Sequence, residues 1–494
     1  MPKRPLALSA SAVLSAAFLL LAPAPAQAAY AVTNDFDCDG KADVVYADPY
    51  ATVNGTQKAG LVVVRLSSSG SGLQVSQSSP GVPGASEDSD HFGMRVASFD
   101  QNSDGCADLL VSAPYEDLGS KNGAGQVWII PGAVGGFDFS AAKTYTQDSA
   151  GFPGAVESGD GFGDSLTAGR TAAGQPFWAA GAPLDHYNDS IGGDTWGRGV
   201  VYYVRGGKAR VIHYAKPGVP GAPHPDQNFG SELTSTPYHL IVGVPEMGIS
   251  EYGAISVFGH TIVDGLPEPM GNFDQDSAGV TGGREEFDHF GATVDAVAYK
   301  PANAAPGSLV AVGAPEEDLG GDVDAGLVHV LFITKGGKVT EKMGVHQGLD
   351  GVWGTGGLNP YWANQMSLTT VGGVMGTASN SVLSVPPDQM WTDGSPTDQL
   401  FKVSRSPGQH DVVVRGGQFG LPQWNSLHDF ACRHATPDGL LLAVRDWAEE
   451  QPQPVVYLVP WANIRQGANL PVWSWEPART GPTQQNLQDC EQLL

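Results

Sequence analysis

The sequence predicts an all-β protein, a β-propeller of seven four-stranded blades, and three observations carry that reading. A short apolar run ending in small-x-Pro recurs along the chain. A Phe-Gly pair precedes four of those runs. No sustained helical periodicity appears outside the N-terminal segment.

The runs VVYADP, LLVSAP, FWAAGAP, LIVGVP, LVAVGAP and VLSVP end at Pro49, Pro114, Pro183, Pro245, Pro315 and Pro386, in steps of 62 to 71 residues. The pairs are Phe92-Gly93, Phe162-Gly163, Phe229-Gly230 and Phe290-Gly291, each behind a turn-rich lead. Worn copies follow. Trp362-Ala363 stands at the Phe-Gly position ahead of VLSVP, and Phe430-Ala431 stands ahead of LLLAVRDW, where Trp447 replaces the Pro. Short runs of Val, Leu, Ile and aromatics bounded by Gly, Pro, Asp or Asn read as strands, and a repeat of this length suits one blade. The first copy begins too late to own a Phe-Gly lead. The C-terminal tail is therefore expected to supply its missing strand and close the ring.

Lys3 and Arg4, the apolar stretch Leu6 to Leu21 and the small-x-small Ala26-Gln27-Ala28 read as a cleavable signal peptide over residues 1–28. Residues 29–494 are expected to form a single propeller domain of a secreted, extracellular protein. No Cys stands at the new N-terminus, Ala29, to carry a lipid, and no later run reads as a membrane span, so no membrane insertion is expected. A formal net charge of −26 excludes nucleic acid and anionic membrane surfaces as partners. Eight of the eleven Trp follow Asp350 and are expected to fill the worn blades.

Two loops carry the clearest chemistry. The first runs through Asp35, Asp37, Asp39, Gly40, Lys41 and Asp43, the second through Asp100, Asn102, Asp104, Gly105, Cys106 and Asp108. Oxygen side chains at positions 1, 3, 5 and 9, with Gly at 6 for the turn, can wrap Ca2+ in six or seven oxygens, and the carbonyl of Lys41 or Cys106 at position 7 would add one. Position 12 is Tyr46 or Val111, inside an apolar β-type run rather than a helix, so each loop is expected to sit in a hairpin.

Phe-Gly, then DQNSDGCAD, then small-x-Pro resembles the FG-GAP repeat of integrin α-subunit propellers. The resemblance runs firmly from Asn34 to about Val330. It implies a seven-bladed propeller for extracellular binding or adhesion; together with the two loops and the absence of assembled catalytic residues, the expectation is a calcium-binding, non-catalytic protein with an unknown extracellular protein or glycan as partner. The oligomeric state stays open.

In that frame Cys38 and Cys106 lie in the calcium loops of adjacent blades, and Cys490 lies in the returning tail beside Cys432. The expected disulfides are Cys38–Cys106 and Cys432–Cys490. Acidic residues also gather on the leads before Phe-Gly (Glu87, Asp88, Asp90, Glu157, Asp160, Glu285, Glu286, Asp288) and after small-x-Pro (Glu116, Asp117, Glu316, Glu317, Asp318). These loops are expected to share the face opposite the calcium hairpins, with Glu316, Glu317 and Asp318 as ligand-binding residues.

One local motif offers an alternative. Gly163-Asp164-Ser165-Leu166 resembles the first block of the GDSL esterases, which would make Ser165 the nucleophile of a secreted hydrolase. Its Phe-Gly falls on the repeat register, however, and the one Asp-x-x-His, Asp88 to His91, lies upstream. The expectation is that no residue of the chain is catalytic.

Overall fold

The small-x-Pro runs become the second strand from the inner edge of each four-stranded sheet. Their residues are buried on both faces, because each sheet is covered by a neighbour on either side, and such strands read as continuous apolar runs rather than alternating ones. The computed structural model describes residues 33–186, 198–224, 227–247, 250–320, 323–346, 366–370, 375–377, 381–385, 397–402, 412–424, 428–446, 454–477 and 492–494. Residues 1–28, Trp362, Pro386, Trp447 and Cys490 lie outside them.

The first sheet holds β1 (Val44–Asp48), β2 (Leu61–Arg65) and β3 (Gly72–Val75). The second holds β4 (Val96–Phe99), β5 (Asp108–Ala113), β6 (Gln126–Ile130) and, after a small hairpin of β7 (Gly132–Ala133) and β8 (Gly136–Phe137), β9 (Lys143–Tyr145). In the third are β10 (Ser165–Arg170), β11 (Pro176–Ala182), β12 (Val200–Arg205) and β13 (Lys208–Ile212). The fourth comprises β14 (Glu232–Ser235), β15 (His239–Val244), β16 (Ala254–Val263) and β17 (Leu266–Phe273). Next come β18 (Thr293–Tyr299), β19 (Gly307–Ala314), β20 (Leu327–Thr334) and β21 (Val339–Val345). The sixth sheet has β22 (Ser367–Thr370), β23 (Ser381–Val385), β24 (Thr397–Lys402) and β25 (Val412–Arg415). The last has β26 (His428–Ala435), β27 (Gly439–Asp446), β28 (Val455–Pro460) and β29 (Trp473–Trp475), with the short helix α1 (Trp461–Gln466) between its last two strands.

Six of these sheets are antiparallel meanders, each made from one continuous stretch of chain. The first is composite. Its fourth strand, β30 (Gln492–Leu493), comes from the far end of the sequence and pairs antiparallel with β1, Tyr46 opposite Leu493 and Ala47 opposite Gln492. The fold is thus an all-β β-propeller. The expected count is corrected: six blades are self-contained, not seven, because the first repeat supplies only three strands.

Apolar cores lie between successive sheets. Val45 and Val62 of the first pack with Val111 and Trp128 of the second. Tyr46, Leu61 and Val63, on the other side of the first sheet, pack with Leu441, Val456 and Trp475 of the last. Trp424, Trp461 and Trp475 are buried among these cores, as expected for Trp in the worn repeats.

The Phe-Gly pair has a definite task. Phe92, Phe162, Phe229 and Phe290 are fully buried. The Phe92 N–H donates to the Ala59 carbonyl, and the Gly93 N–H donates to that of Ser112. This backbone passes so close to Gly60 that a Cβ there would stand 2.1 Å from the Phe92 carbonyl oxygen; at Gly125 it would stand 2.3 Å from that of Phe162. Both glycines also have positive φ, so only glycine suits them.

Candidate metal centre

The first acidic loop precedes β1. Asp35 Oδ1 and Oδ2 accept the N–H groups of Asp39 (3.0 Å) and Gly40 (2.9 Å), and Asp39 Oδ1 accepts that of Lys41 (2.8 Å). This folding of backbone onto carboxylates brings one oxygen each of Asp35, Asp37 and Asp39 within 4.8 Å of one another. Asp35 and Asp37 are buried, Asp39 exposed. Burial, opposed by the backbone N–H bonds and reinforced by the neighbouring Asp37 and Asp39, leaves the Asp35 carboxyl above its ordinary value. The Lys41 ammonium stays exposed, 3.9 Å from Asp39.

Asp43 is buried but turned to another task. Its two oxygens accept the N–H groups of Phe36 (2.9 Å) and Ser67 (2.7 Å). Burial raises its carboxyl to about 6.

The second loop, between β4 and β5, repeats the design with two differences. Asp104 accepts from Cys106 N–H (2.9 Å) and from the Asn102 amide (2.7 Å), and Asp108 braces the loop through the N–H groups of Gln101 and Gly132. Burial also raises Asp108 to about 6. The first difference is Asn102 in place of the middle carboxylate. The second is Arg170 at the end of β10, whose guanidinium stands 3.0 Å from Asp100 Oδ2 and donates to Ser103 Oγ at 3.1 Å. Asp100 Oδ1 remains buried without a hydrogen-bond partner.

The donor chemistry of both loops fits a hard cation, since it consists of carboxylate and amide oxygen. The first loop concentrates three carboxylates without an intervening arginine. The second keeps one orphaned carboxylate oxygen beside a resident positive charge. The two loops are tied together. Cys38 and Cys106 form a disulfide with Cα atoms 4.9 Å apart, and the Ala107 N–H donates to the Asp35 carbonyl at 2.8 Å. Cys432 is also disulfide-bonded, while its expected partner Cys490 lies outside the described residues. Disulfides belong to oxidising compartments, which makes this an extracytoplasmic protein. No helix among the described residues is long and apolar enough to cross a membrane.

The acidic loops opposite the metal loops do not form the single charged surface the sequence implied. Glu317 is buried, with its carboxylate against the Gln275 amide. Glu316 Oε2 faces His289 Nδ1 at 3.1 Å, and Asp318 accepts the Asp324 N–H at 2.8 Å. Asp90, Asp160 and Asp288, two residues before each Phe, are buried as well, and so is Glu116. Glu87, Asp88, Asp117, Glu157, Glu285 and Glu286 remain exposed. Arg170 went unnoticed in the sequence because its partner belongs to the preceding repeat.

Ser165 is 1% exposed, and its hydroxyl donates to the Gly230 carbonyl at 2.5 Å. It knits β10 to the next Phe-Gly turn.

These features define a β-propeller with cation-type acidic loops in its first two repeats. Residues 92–130 match the FG-GAP repeat, and an integrin-like propeller is consistent with that match. No curated protein sequence matches the chain. Among solved structures, the periplasmic gluconolactonase of Pseudomonas aeruginosa is similar, with 11% identity, 84% of this chain and 92% of that chain covered, and a TM-score of 0.43. The expectation of a non-catalytic protein is corrected on this finding. That structure is titled as an enzyme.

Proposed function

We propose that this chain is a secreted, extracellular FG-GAP propeller that binds calcium in its first two acidic loops and docks an extracellular protein or glycan. The observation that carries the reading is the Asp35, Asp37 and Asp39 cluster, whose oxygens are drawn within 4.8 Å although two of the three residues are buried. Such crowding of like charge is unfavourable until a cation neutralises it. In this reading the seven sheets form one closed ring. Supporting closure, the innermost strands of all seven line one cavity of about 510 Å³, and the Val96 N–H of β4 donates to Gln492 Oε1 of β30.

The docking face lies at the end of the sheets away from the acidic loops, since β5 runs from the second loop at one end to Ala113-Pro114 at the other. Exposed carboxylates there stand beside an aromatic group. His91 sits between Tyr50 and Tyr115, with ring centroids 5.1 and 5.0 Å away, and Tyr115 is 50% exposed. Rings presented this way suit stacking on a sugar or on an apolar side chain.

The test is binding of the tagged protein to cell walls, glycan arrays and matrix proteins in calcium and in chelator, with calorimetric calcium titration alongside. Binding that needs calcium and fails in Asp37→Asn supports the reading. Absence of any calcium heat in the wild-type chain overturns it. The same preparation should be assayed on ester and lactone substrates.

A further inference from the structure

Among the described residues, three places bury more hydrogen-bond acceptors than donors, and they occupy the same positions of three different repeats. In the first, the Gln77 amide N–H donates to Glu116 Oε2 at 2.6 Å, and the Glu87 N–H donates to Asp90 Oδ2 at 2.6 Å. Gln77 Oε1, on the same amide, is buried with no partner. In the second, the Gln147 amide donates to Asp185 Oδ2 at 2.7 Å and the Glu157 N–H to Asp160 Oδ2 at 2.7 Å. Gln147 Oε1 and Asp160 Oδ1 are then left without partners. In the third, the Gln275 amide donates to Glu317, and the Glu285 N–H donates to Asp288 Oδ2 at 2.6 Å. Gln275 Oε1 and Asp288 Oδ1 are the orphans there.

The three glutamines and three aspartates are each at most 2% exposed. Among the described residues none of the six carboxyls is paired with Lys or Arg. A buried acceptor without a donor costs about 1–3 kcal/mol, so five of them in one fold call for an explanation.

The fold itself does not demand these charges. In the repeat between the second and third of these, after β13, the corresponding residues are Tyr214, Gln227 and Met247. There the Tyr214 hydroxyl lies 3.5 Å from Met247 Sδ and 2.9 Å from Ser256 Oγ. An uncharged set closes that blade, so the carboxylates of the other three serve something besides packing.

We propose that each of these three cages holds a calcium ion, separate from the acidic loops. A cage offers one amide oxygen and two carboxylates, a hard all-oxygen donor set whose charge one divalent ion balances, with water completing the shell. The ion would satisfy the orphaned oxygens that no protein donor reaches. Burial, then the neighbouring aspartate, also pushes Glu116 up to about 8 and Glu317 and Asp185 up to about 7, as befits acids held without their counter-charge.

The experiment counts metal by mass spectrometry after equilibrium dialysis in 1 mM calcium, about the weak end of calcium affinities for extracellular modules. The chain with both loops disabled (Asp37→Asn with Asp104→Asn) is expected to retain three calcium ions. Adding Glu116→Gln, Asp185→Asn or Glu317→Gln, each close to isosteric, should remove one apiece. Water or shared protons in the cages would leave no calcium on the loop-disabled chain, and that result overturns the proposal; so does a count that no cage substitution changes. If the loop variant does not fold, calcium titration of the wild-type chain decides, and a total of two or fewer overturns the proposal. Equal counts in wild type and loop variant would refute the loops as sites while leaving the cages standing.

Discussion

The Arg170 guanidinium stands 3.0 Å from Asp100 Oδ2, joining the end of one sheet's inner strand to the first residue of the acidic loop in the preceding repeat. The side chains are largely shielded from solvent, so this positive charge is weakly screened at the second loop. Among the described residues the first loop has no buried arginine, only the exposed Lys41 ammonium 3.9 Å from Asp39. The two loops are therefore expected to differ in calcium affinity, with the first the tighter. Arg170→Gln should tighten the second loop at least tenfold, about 1.4 kcal/mol, by removing a like charge beside the ion. Calorimetry that finds two equal sites in the wild type, unmoved by the substitution, would refute this.

Calcium should stabilise the N-terminal sheets. A ligand that binds only the native state adds RT ln(1 + [L]/Kd), about 2.7 kcal/mol at a hundredfold excess. The melting temperature should rise in millimolar calcium, and Asp39→Ala or Asp104→Ala should blunt the rise. Superimposable melting curves in calcium and chelator would sink the claim.

The Cys38–Cys106 bridge closes a sequence separation of 68 residues. On the chain-entropy account this stabilises by about 4 kcal/mol, in a model-dependent way. The double variant Cys38→Ser with Cys106→Ser should lower the denaturant midpoint accordingly. It should also weaken calcium binding at the first loop, because the Asp35 backbone is anchored beside the bridge through Ala107. Unchanged calcium affinity in a folded double variant would separate the bridge from the site.

His239 and His260 form a buried polar node between sheets. His260 Nε2 donates to the Thr236 carbonyl at 2.8 Å, which leaves Nδ1 to accept from the Tyr203 hydroxyl at 3.0 Å. His239 Nδ1 lies 2.7 Å from Ser308 Oγ. Burial depresses both to about 4, from an ordinary 6.5. Between those values the unfolded chain takes up protons that the folded one refuses, so their contribution falls as pH drops from 6.5 towards 4. Raised carboxyls elsewhere act in the opposite sense, so the decisive quantity is a difference. The stability gap between wild type and His260→Gln should narrow steadily from pH 7 to pH 4, and a constant gap would contradict the assignment.

Ser165→Ala should cost about 1 kcal/mol, the usual worth of a buried hydrogen bond, because Gly230 loses its side-chain donor. Urea denaturation measures it. A variant as stable as wild type would show that the hydroxyl serves something other than this turn.

The strands were legible because every blade is covered on both faces. Val, Leu and Ile therefore run without alternation, as in Asp108–Ala113 and His239–Val244, each buried throughout. The acidic loops were legible because the side chains that converge are neighbours in sequence. Arg170 was not, since its partner Asp100 lies one repeat away. Glu317 was misread as surface because charge was taken for exposure. The cages are spread over the turn before Phe-Gly and the turn after small-x-Pro, and only the repeat register aligns Gln77 with Gln147 and Gln275. The blade count slipped because seven sequence copies do not make seven self-contained sheets when one borrows a strand.

That borrowed strand has a consequence for biogenesis. Until β30 is available, β1 presents Tyr46 and Ala47 as an open, hydrogen-bond-hungry margin, flanked by the apolar side chains that later meet Trp475. A nascent chain carries that sticky margin until Gln492 and Leu493 have been made. The last pairing is also the most non-local in the molecule, the kind of contact that forms slowly and leaves intermediates open to aggregation. Export in an unfolded state, with joining of the two ends deferred to the far side of the membrane, would keep that margin from finding the wrong neighbour.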